Sequence, residues 1–122
     1  DRQGTFIGGA IAPGIKSATE ALVNTTAKLP RIELVRPKSV IGKDTVSNMQ
    51  SGVIFGFTGL VDYIVKSIKE ETGFHDAKVI ATGGLSLLVK QGVSSIDHVD
   101  RALSLKGLKL IYDRNKHLTE VI

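Results

Sequence analysis

The stretch Ile41–Gly73, IGKDTVSNMQSGVIFGFTGLVDYIVKSIKEETG, decides the fold because it predicts one long amphipathic helix behind a polar loop. Gly42 predicts a turn, and Asp44 or Thr45 provides the side-chain oxygen of a helix N-cap. Gly73 is the residue type that commonly ends a helix in the left-handed conformation. Between these signals, apolar residues recur at helical spacing. They are Met49, Val53, Phe57, Leu60, Ile64 and Ile68, with Ile54, Val61 and Val65 beside them. We expect a helix roughly 40 Å long, at 1.5 Å per residue, at the centre of the domain.

A second stripe on the same helix consists of Gly52, Gly56, Gly59 and Tyr63, at spacings of four, three and four residues. Each glycine costs about 1 kcal/mol relative to alanine inside a helix, so three of them require a compensating contact. Close approach by another helix is the expected compensation. That helix could belong to this chain or to a second copy, and the stripe alone leaves both interpretations open.

The composition limits the class of protein. With 122 residues and 42% hydrophobic residues, the chain can bury one core and is expected to be one domain. The absence of cysteine excludes disulfides and thiolate metal sites and is compatible with a reducing cytoplasm. Charged residues and glycine interrupt the apolar runs before about 18 residues, so no membrane span is expected.

A net charge of +4 favours anionic partners. The basic residues are densest around the second loop of the chain, where no aromatic residues alternate with them as they do in single-strand binding surfaces. The cluster consists of Lys28, Arg31, Arg36, Lys38 and Lys43. We therefore interpret it as a solvated loop, and nucleic acid is not an expected partner.

The first third of the chain predicts a turn, a strand and a helix. Asp1–Gly4 has the composition of a hairpin turn, and Thr5–Ile7 reads as a strand whose partner is expected upstream. A loop of small residues follows, and the helix from about Gly14 to Lys28 is ended by Pro30. Its predicted inner face contains Ile15, Ala18, Leu22, Thr25 and Leu29. A short strand is predicted at Ile32–Val35.

A strand, a glycine turn and a helix are predicted in the last third. Lys78–Ala81 is the strand, Thr82-Gly83-Gly84 the turn and Leu85–Gln91 the helix. In α/β sheets, ligands bind beyond the carboxyl ends of strands, where free N–H groups meet phosphate or sugar oxygens. Ser104 is predicted to cap a last helix that ends near Asn115. The pattern is α/β with few strands for an independent sheet.

No complete catalytic apparatus is evident in the residues alone. The stretch from Gly9 to Lys16 differs from a phosphate loop by one inserted residue, which rotates the lysine away from the phosphate side. Asp97, His98 and Asp100 offer metal-ligand atoms, as does the pair His75-Asp76, but no second cluster accompanies either. We interpret these as surface turn residues and predict no metal site.

Ordered sequence blocks along nearly the whole chain closely resemble the C-terminal half of type III pantothenate kinases. The blocks are GGAIAPGI (8–15), KLP (28–30), ELVRP (33–37), IGKDT (41–45), MQSG (49–52), GLVD (59–62), KVIATGGL (78–85), IDHVD (96–100) and the run from Leu103 to Asn115.

The resemblance implies an ATP-dependent kinase that phosphorylates pantothenate to 4'-phosphopantothenate, the first step of coenzyme A synthesis, in the cytoplasm. It implies the duplicated ribonuclease H-like fold of actin, sugar kinases and heat-shock ATPases, with residues 1–122 as the second of two domains. Pantothenate, ATP, a divalent cation and a monovalent cation are the implied ligands, and the implied assembly is a homodimer through the long helix.

Carried over by position, the resemblance assigns three groups of residues. Thr45 matches the threonine that hydrogen-bonds pantothenate. Gly83 and Gly84 match the turn on the adenosine side of the nucleotide. Gly52, Gly56, Gly59 and Tyr63 lie on the implied dimer helix.

The family's Asp-x-Gly-Asn-Thr, Gly-x-Asp-Arg and Asp-Gly-Thr-Ala segments are absent from this sequence. They carry the phosphate loops, the catalytic base and the cation ligands, and we expect them in a missing N-terminal domain. Phosphoryl transfer depends on such positioning and charge stabilisation, so no catalytic residue is assigned here and the chain alone is expected to be inactive. Two alternatives are a DNA-binding or transcription-accessory protein, as the family was once described, and a non-catalytic ligand-binding member.

Overall fold

The computed structural model describes the backbone of residues 1–119 and the side chains of residues 1–116. The described chain is mainly helical, with two short strands. In order, the elements are α1 (Ile15–Asn24), α2 (Thr45–Thr72), β1 (Ile80–Ala81), α3 (Ser86–Lys90), β2 (His98–Val99) and α4 (Leu103–Thr119).

The long helix predicted from the sequence is confirmed as α2, which has 28 residues. Asp44 precedes it as the N-cap, where its carboxylate accepts the backbone N–H of Ser47 at 2.9 Å. Gly73 follows it with φ +70°, the left-handed conformation in which glycine ends a helix without a Cβ penalty. Both ends were predictable because the residues that fix them are local.

Contrary to the expectation from interrupted apolar runs, α2 is long and apolar enough to cross a membrane by length and composition. Core helices of soluble proteins meet the same criterion. The buried face of α2 carries Ser51 and Thr58, whose hydroxyls donate to the backbone carbonyls of Val40 and Phe55. This face makes contacts within the protein, and one helix that meets the criterion is weak evidence for a membrane span.

Contacts divide the chain into two units, Asp1–Ile64 and the part from Val65 onward. The core of the first unit includes Ile15, Met49 and Ile54, of which Ile54 is 1% exposed. The core of the second unit includes Val89, Val93 and Ile96. Each unit thus has a small core of its own, and the single domain expected from the chain length stays a prediction.

The predicted inner face of α2 is only partly correct. Met49 is buried, as predicted, but Leu60 and Ile68 are exposed. The other buried residues of α2 are Ser51, Ile54 and Thr58. The loop before α2 packs on this face, and small hydroxyl side chains fit there because backbone carbonyls satisfy them. The spacing of apolar residues along the helix could not reveal that the buried face includes these two hydroxyl residues.

Two of the three predicted strands are absent. Thr5–Ile7 and Ile32–Val35 have no strand pairing, and Phe6 is 86% exposed. A strand requires a partner to supply its ladder hydrogen bonds, and neither segment has one among the described residues. The third, Lys78–Ala81, forms the shorter strand β1. It pairs in parallel with β2, Ile80 opposite His98 and Ala81 opposite Val99.

The remaining helices are confirmed with changed ends. Helix α1 spans Ile15–Asn24 rather than 14–28, and its buried residues are Ile15 and Thr19. Helix α3 is close to its predicted range. Ser104 does not cap α4, because the chain already turns at Asp100, whose carboxylate accepts the N–H of Ala102 at 3.0 Å. Ser104 therefore lies inside the first turn of the helix.

Candidate functional site

The start of α2 is held by a reciprocal pair of hydrogen bonds between Asp44 and Ser47. The backbone N–H of Ser47 donates to Asp44 Oδ1 at 2.9 Å, and the backbone N–H of Asp44 donates to Ser47 Oγ at 3.2 Å. The N–H of Lys43 reaches the same Oγ at 3.1 Å. Asp44 accepts hydrogen bonds from the backbone N–H of Ser47 and from its hydroxyl, and these bonds lower the pKa of the Asp44 carboxyl. This arrangement is a capping box, and it fixes the backbone on both sides of the first helical residue.

Thr45 occupies that first helical position and is exposed. Its hydroxyl forms no hydrogen bond with any residue that the structure describes. A free hydroxyl beside the positive end of a 28-residue helix dipole is suited to a polar or anionic ligand. The structure therefore leaves the predicted substrate-binding residue accessible and its neighbours fixed.

Gly42 makes a close approach that the sequence did not reveal beyond predicting a turn. A Cβ at this position would lie 2.5 Å from the backbone nitrogen of Asn48 and 2.7 Å from the carbonyl carbon of Ser47. The loop backbone thus lies directly against the first turn of α2, where only glycine fits. No local signal marks this contact, because its partner is defined by the folded path of the loop.

Two of the four stripe residues line an apolar groove between α1 and α2. The groove has a volume of about 600 Å³, and Gly52 and Gly56 contribute to its wall. A Cβ at Gly52, Gly56 or Gly59 would meet no atom within 4 Å. Tyr63 is 73% exposed. The positions over Gly52, Gly56 and Gly59 are therefore open among the described residues, and the compensating contact that these glycines require stays a prediction.

The glycine turn after β1 belongs to the second unit. Gly83 has φ +94°, and its carbonyl accepts the backbone N–H of Ser86 at 3.3 Å and the hydroxyl at 2.7 Å. Gly84 has open space where a Cβ would lie. Only five residues follow in α3, so the dipole of that helix is small. The turn has open space at Gly84, and its assignment to the adenosine side of a nucleotide site stays a prediction.

Two of the candidate metal-ligating residues in the same unit, Asp97 and Asp100, make structural contacts. Asp97 Oδ2 accepts the N–H of Val79 at 2.8 Å, and this bond, with Lys78 nearby, lowers the pKa of Asp97. Asp100 Oδ2 accepts Lys106 Nζ at 2.6 Å, which lowers its pKa as well. Among the side chains that the structure describes, residues 1–116, no three histidines or carboxylates gather as metal ligands would.

One member of the basic cluster around the second loop is partly buried. Arg36 is partly buried, and its guanidinium lies 4.6 Å from the centre of the Phe55 ring. The other four basic residues are exposed. Exposure alone does not identify a nucleic-acid surface, so the absence of a nucleic-acid partner stays a prediction.

Comparison with protein families places the first half of the chain in a known family. The family model described as type III pantothenate kinase matches residues 1–67, which is 67 of the 122 residues. The matched part contains α1, the following loop and most of α2, with Thr45 and the whole glycine stripe. Gly83 and Gly84 lie outside it.

Proposed function

Because the chain belongs to the type III pantothenate kinase family, we propose that it contributes the second lobe of an enzyme that phosphorylates pantothenate with ATP. The family is one of actin-type kinases, which are ATP-dependent. The proposal extends this to a ribonuclease H-like lobe that works in the cytoplasm, beside a first lobe that carries the phosphate loops, the cation ligands and the catalytic base.

The observation that carries the proposal is the exposed Thr45 hydroxyl at the capped start of α2, inside the part of the chain that the family model matches. The capping box holds the backbone of Asp44 and Ser47 rigidly, so the hydroxyl between them has a defined position. A positioned hydroxyl can hydrogen-bond a hydroxyl, amide or carboxylate of pantothenate and orient the substrate for transfer. In this proposal Thr45 binds substrate and takes no part in proton transfer.

Exposed apolar residues support the division into two lobes. In the N-terminal segment, Phe6 is 86% exposed and Ile11 is fully exposed. In α4, Leu105, Leu108 and Tyr112 lie on one side, and each is more than 60% exposed. Both are surfaces that further strands or helices of a larger protein would cover. The proposed nucleotide site combines the Gly83-Gly84 turn with the phosphate loops of the other lobe.

We predict that the 122-residue chain alone does not phosphorylate pantothenate, whereas the full-length protein does. Removal of positioned charges and a general base typically costs several orders of magnitude in rate. A coupled assay of ADP release with pantothenate and Mg-ATP tests both proteins. Turnover by the chain alone at a rate near that of the full-length protein would show that the reacting groups lie here.

We predict that Thr45→Ala in the full-length protein weakens pantothenate binding by about fivefold or more, since one hydrogen bond contributes about 1 kcal/mol. The melting temperature should stay within about 1 °C, because an exposed side chain without a partner is removed. Thr45→Ser, which keeps the hydroxyl, is the matched control. Calorimetric titration measures the affinity, and equal affinities of the alanine variant and the parent would contradict the role of Thr45.

A further inference from the structure

The loop between α1 and α2 has little structure of its own and is fixed by contacts with α2. From Arg31 to Asp44 it contains no helix or strand, and its described internal backbone hydrogen bond is the one from Val35 N–H to Glu33 O at 3.0 Å. A connection of this length without regular structure is commonly functional or mobile. What fixes it therefore determines where Thr45 lies.

Side chains of α2 anchor the loop at successive points. Gln50 Nε2 donates to Glu33 O at 3.0 Å, and Ser51 Oγ donates to Val40 O. Farther along the helix, the Phe55 ring lies beneath the guanidinium of Arg36. From there the loop runs back towards the helix N-terminus, where Gly42 and Asp44 meet its first turn.

Arg36 differs from the other anchors because the burial of its guanidinium is energetically unfavourable. Its Nη1 is buried and has no hydrogen-bond partner among the described residues. Burying a charged donor without a partner is unfavourable, and an apolar side chain could cover Phe55 without that penalty. A guanidinium on a ring face, however, prefers a particular stacked geometry, which an aliphatic chain does not. The residue type is therefore suited to fixing the position of the loop rather than to raising stability.

We propose that Arg36, stacked on Phe55, is a positioning residue that sets the path of the Arg31–Asp44 loop and thereby the location of Thr45 at the substrate site. The inference rests on the proposed function for its link to pantothenate. The stacked pair fixes the loop nine residues before Thr45, Ser51 fixes it at Val40, and the close contact at Gly42 transmits that path to the capping box.

The test compares Arg36→Met with Lys38→Met in the full-length protein. Lys38 is exposed in the same loop, so its substitution removes an equal charge without removing the stack. We expect Arg36→Met to raise the KM for pantothenate about five- to tenfold, with kcat and the KM for ATP changed less than twofold. The melting temperature should be equal or higher, since the unpaired buried donor is removed. Lys38→Met should match the parent.

The ring is tested by Phe55→Leu and Phe55→Tyr. Phe55→Leu should raise the same KM about as much as Arg36→Met, Phe55→Tyr should restore parental values, and the double variant Arg36→Met/Phe55→Leu should be no worse than either single variant. Parental KM in both single variants would overturn the proposal. The proposal would also be overturned if the rise in the KM for pantothenate came with a lower melting temperature and a higher KM for ATP. That result would indicate a purely structural role.

Amide hydrogen exchange distinguishes a failure of this inference from a failure of the proposed function. The N–H groups of Lys43 and Asp44 donate to Ser47 Oγ, so their exchange reports the seating of the loop whatever the substrate is. Arg36→Met should accelerate exchange in peptides covering residues 38–45 at least fivefold, and Lys38→Met should not. If the parent does not phosphorylate pantothenate, the proposed function fails. Accelerated exchange in Arg36→Met would still support the stack on Phe55 as the contact that positions the loop, and unchanged exchange would overturn it.

Discussion

Gly42→Ala in the full-length protein is expected to raise the KM for pantothenate tenfold or more and to reduce the free energy of unfolding by about 1–3 kcal/mol, the range typical of overpacking. The added Cβ would lie 2.5 Å from Asn48 N and 2.7 Å from the carbonyl carbon of Ser47. Both are backbone atoms of the first turns of α2, so neither can rotate away. The loop must move, and it must carry the N–H groups of Lys43 and Asp44 away from Ser47 Oγ.

Gly14→Ala is the matched control, since a Cβ at this position meets no atom within 4 Å. Gly42 does not have a positive φ, so the expected loss comes from the steric contact and not from the backbone conformation. Chemical denaturation measures the free energy of unfolding, and steady-state kinetics measure the KM for pantothenate. A Gly42→Ala protein with parental stability and KM would show that the loop does not lie against α2 as described.

The ends of α2 could be predicted from the sequence, whereas its buried face could not. Asp44 and Gly73 act through hydrogen bonds and backbone conformation within a few residues, so their residue types are sufficient. The burial of Ser51 depends on Val40, eleven residues earlier along an irregular loop. An apolar pattern assigns serine to the solvent, and only the loop contact reverses that assignment.

The predicted strands show the same limit in another form. The segments Thr5–Ile7 and Ile32–Val35 have strand-like composition, but composition does not provide a partner. Part of the segment Lys78–Ala81 forms strand β1 because β2 lies beside it. Just before the two strands, Asp97 and Val79 are joined by hydrogen bonds. Strand formation is thus a property of pairs of segments, and the sequence shows the segments singly.

For the candidate site, the sequence provided the residue but not its support. Thr45 was identified by resemblance to a family, and the family match to residues 1–67 includes it. The close contact at Gly42 and the stack of Arg36 on Phe55 join residues that are 6 and 19 positions apart, counting Gly42 to Asn48 and Arg36 to Phe55. Neither spacing has a local signature. Features of this kind require coordinates.

Gly56→Leu is expected to separate the proposed homodimer of the full-length protein, with at least a 100-fold rise in the dimer dissociation constant. Glycine at positions 52, 56 and 59 leaves open space along α2, which would let a second helix approach the backbone closely. A leucine side chain would occupy that space. In the separated monomer the same change should leave the free energy of unfolding unchanged or raise it by up to about 1 kcal/mol, because leucine has the higher helix propensity.

These opposite signs distinguish a dimer contact from a contact within the protein. Gly107→Leu in α4 is the matched control, because it gives a similar gain in helix propensity at a position with open space and away from the stripe. Sedimentation velocity measures the assembly, and thermal denaturation at concentrations where both proteins are monomeric measures the stability. A monomeric Gly56→Leu protein of undiminished monomer stability supports the stripe as the subunit contact. A dimer that persists while the stability falls by several kcal/mol would mean that another segment of the same chain covers the glycines, and that Thr45 and its loop work within one subunit.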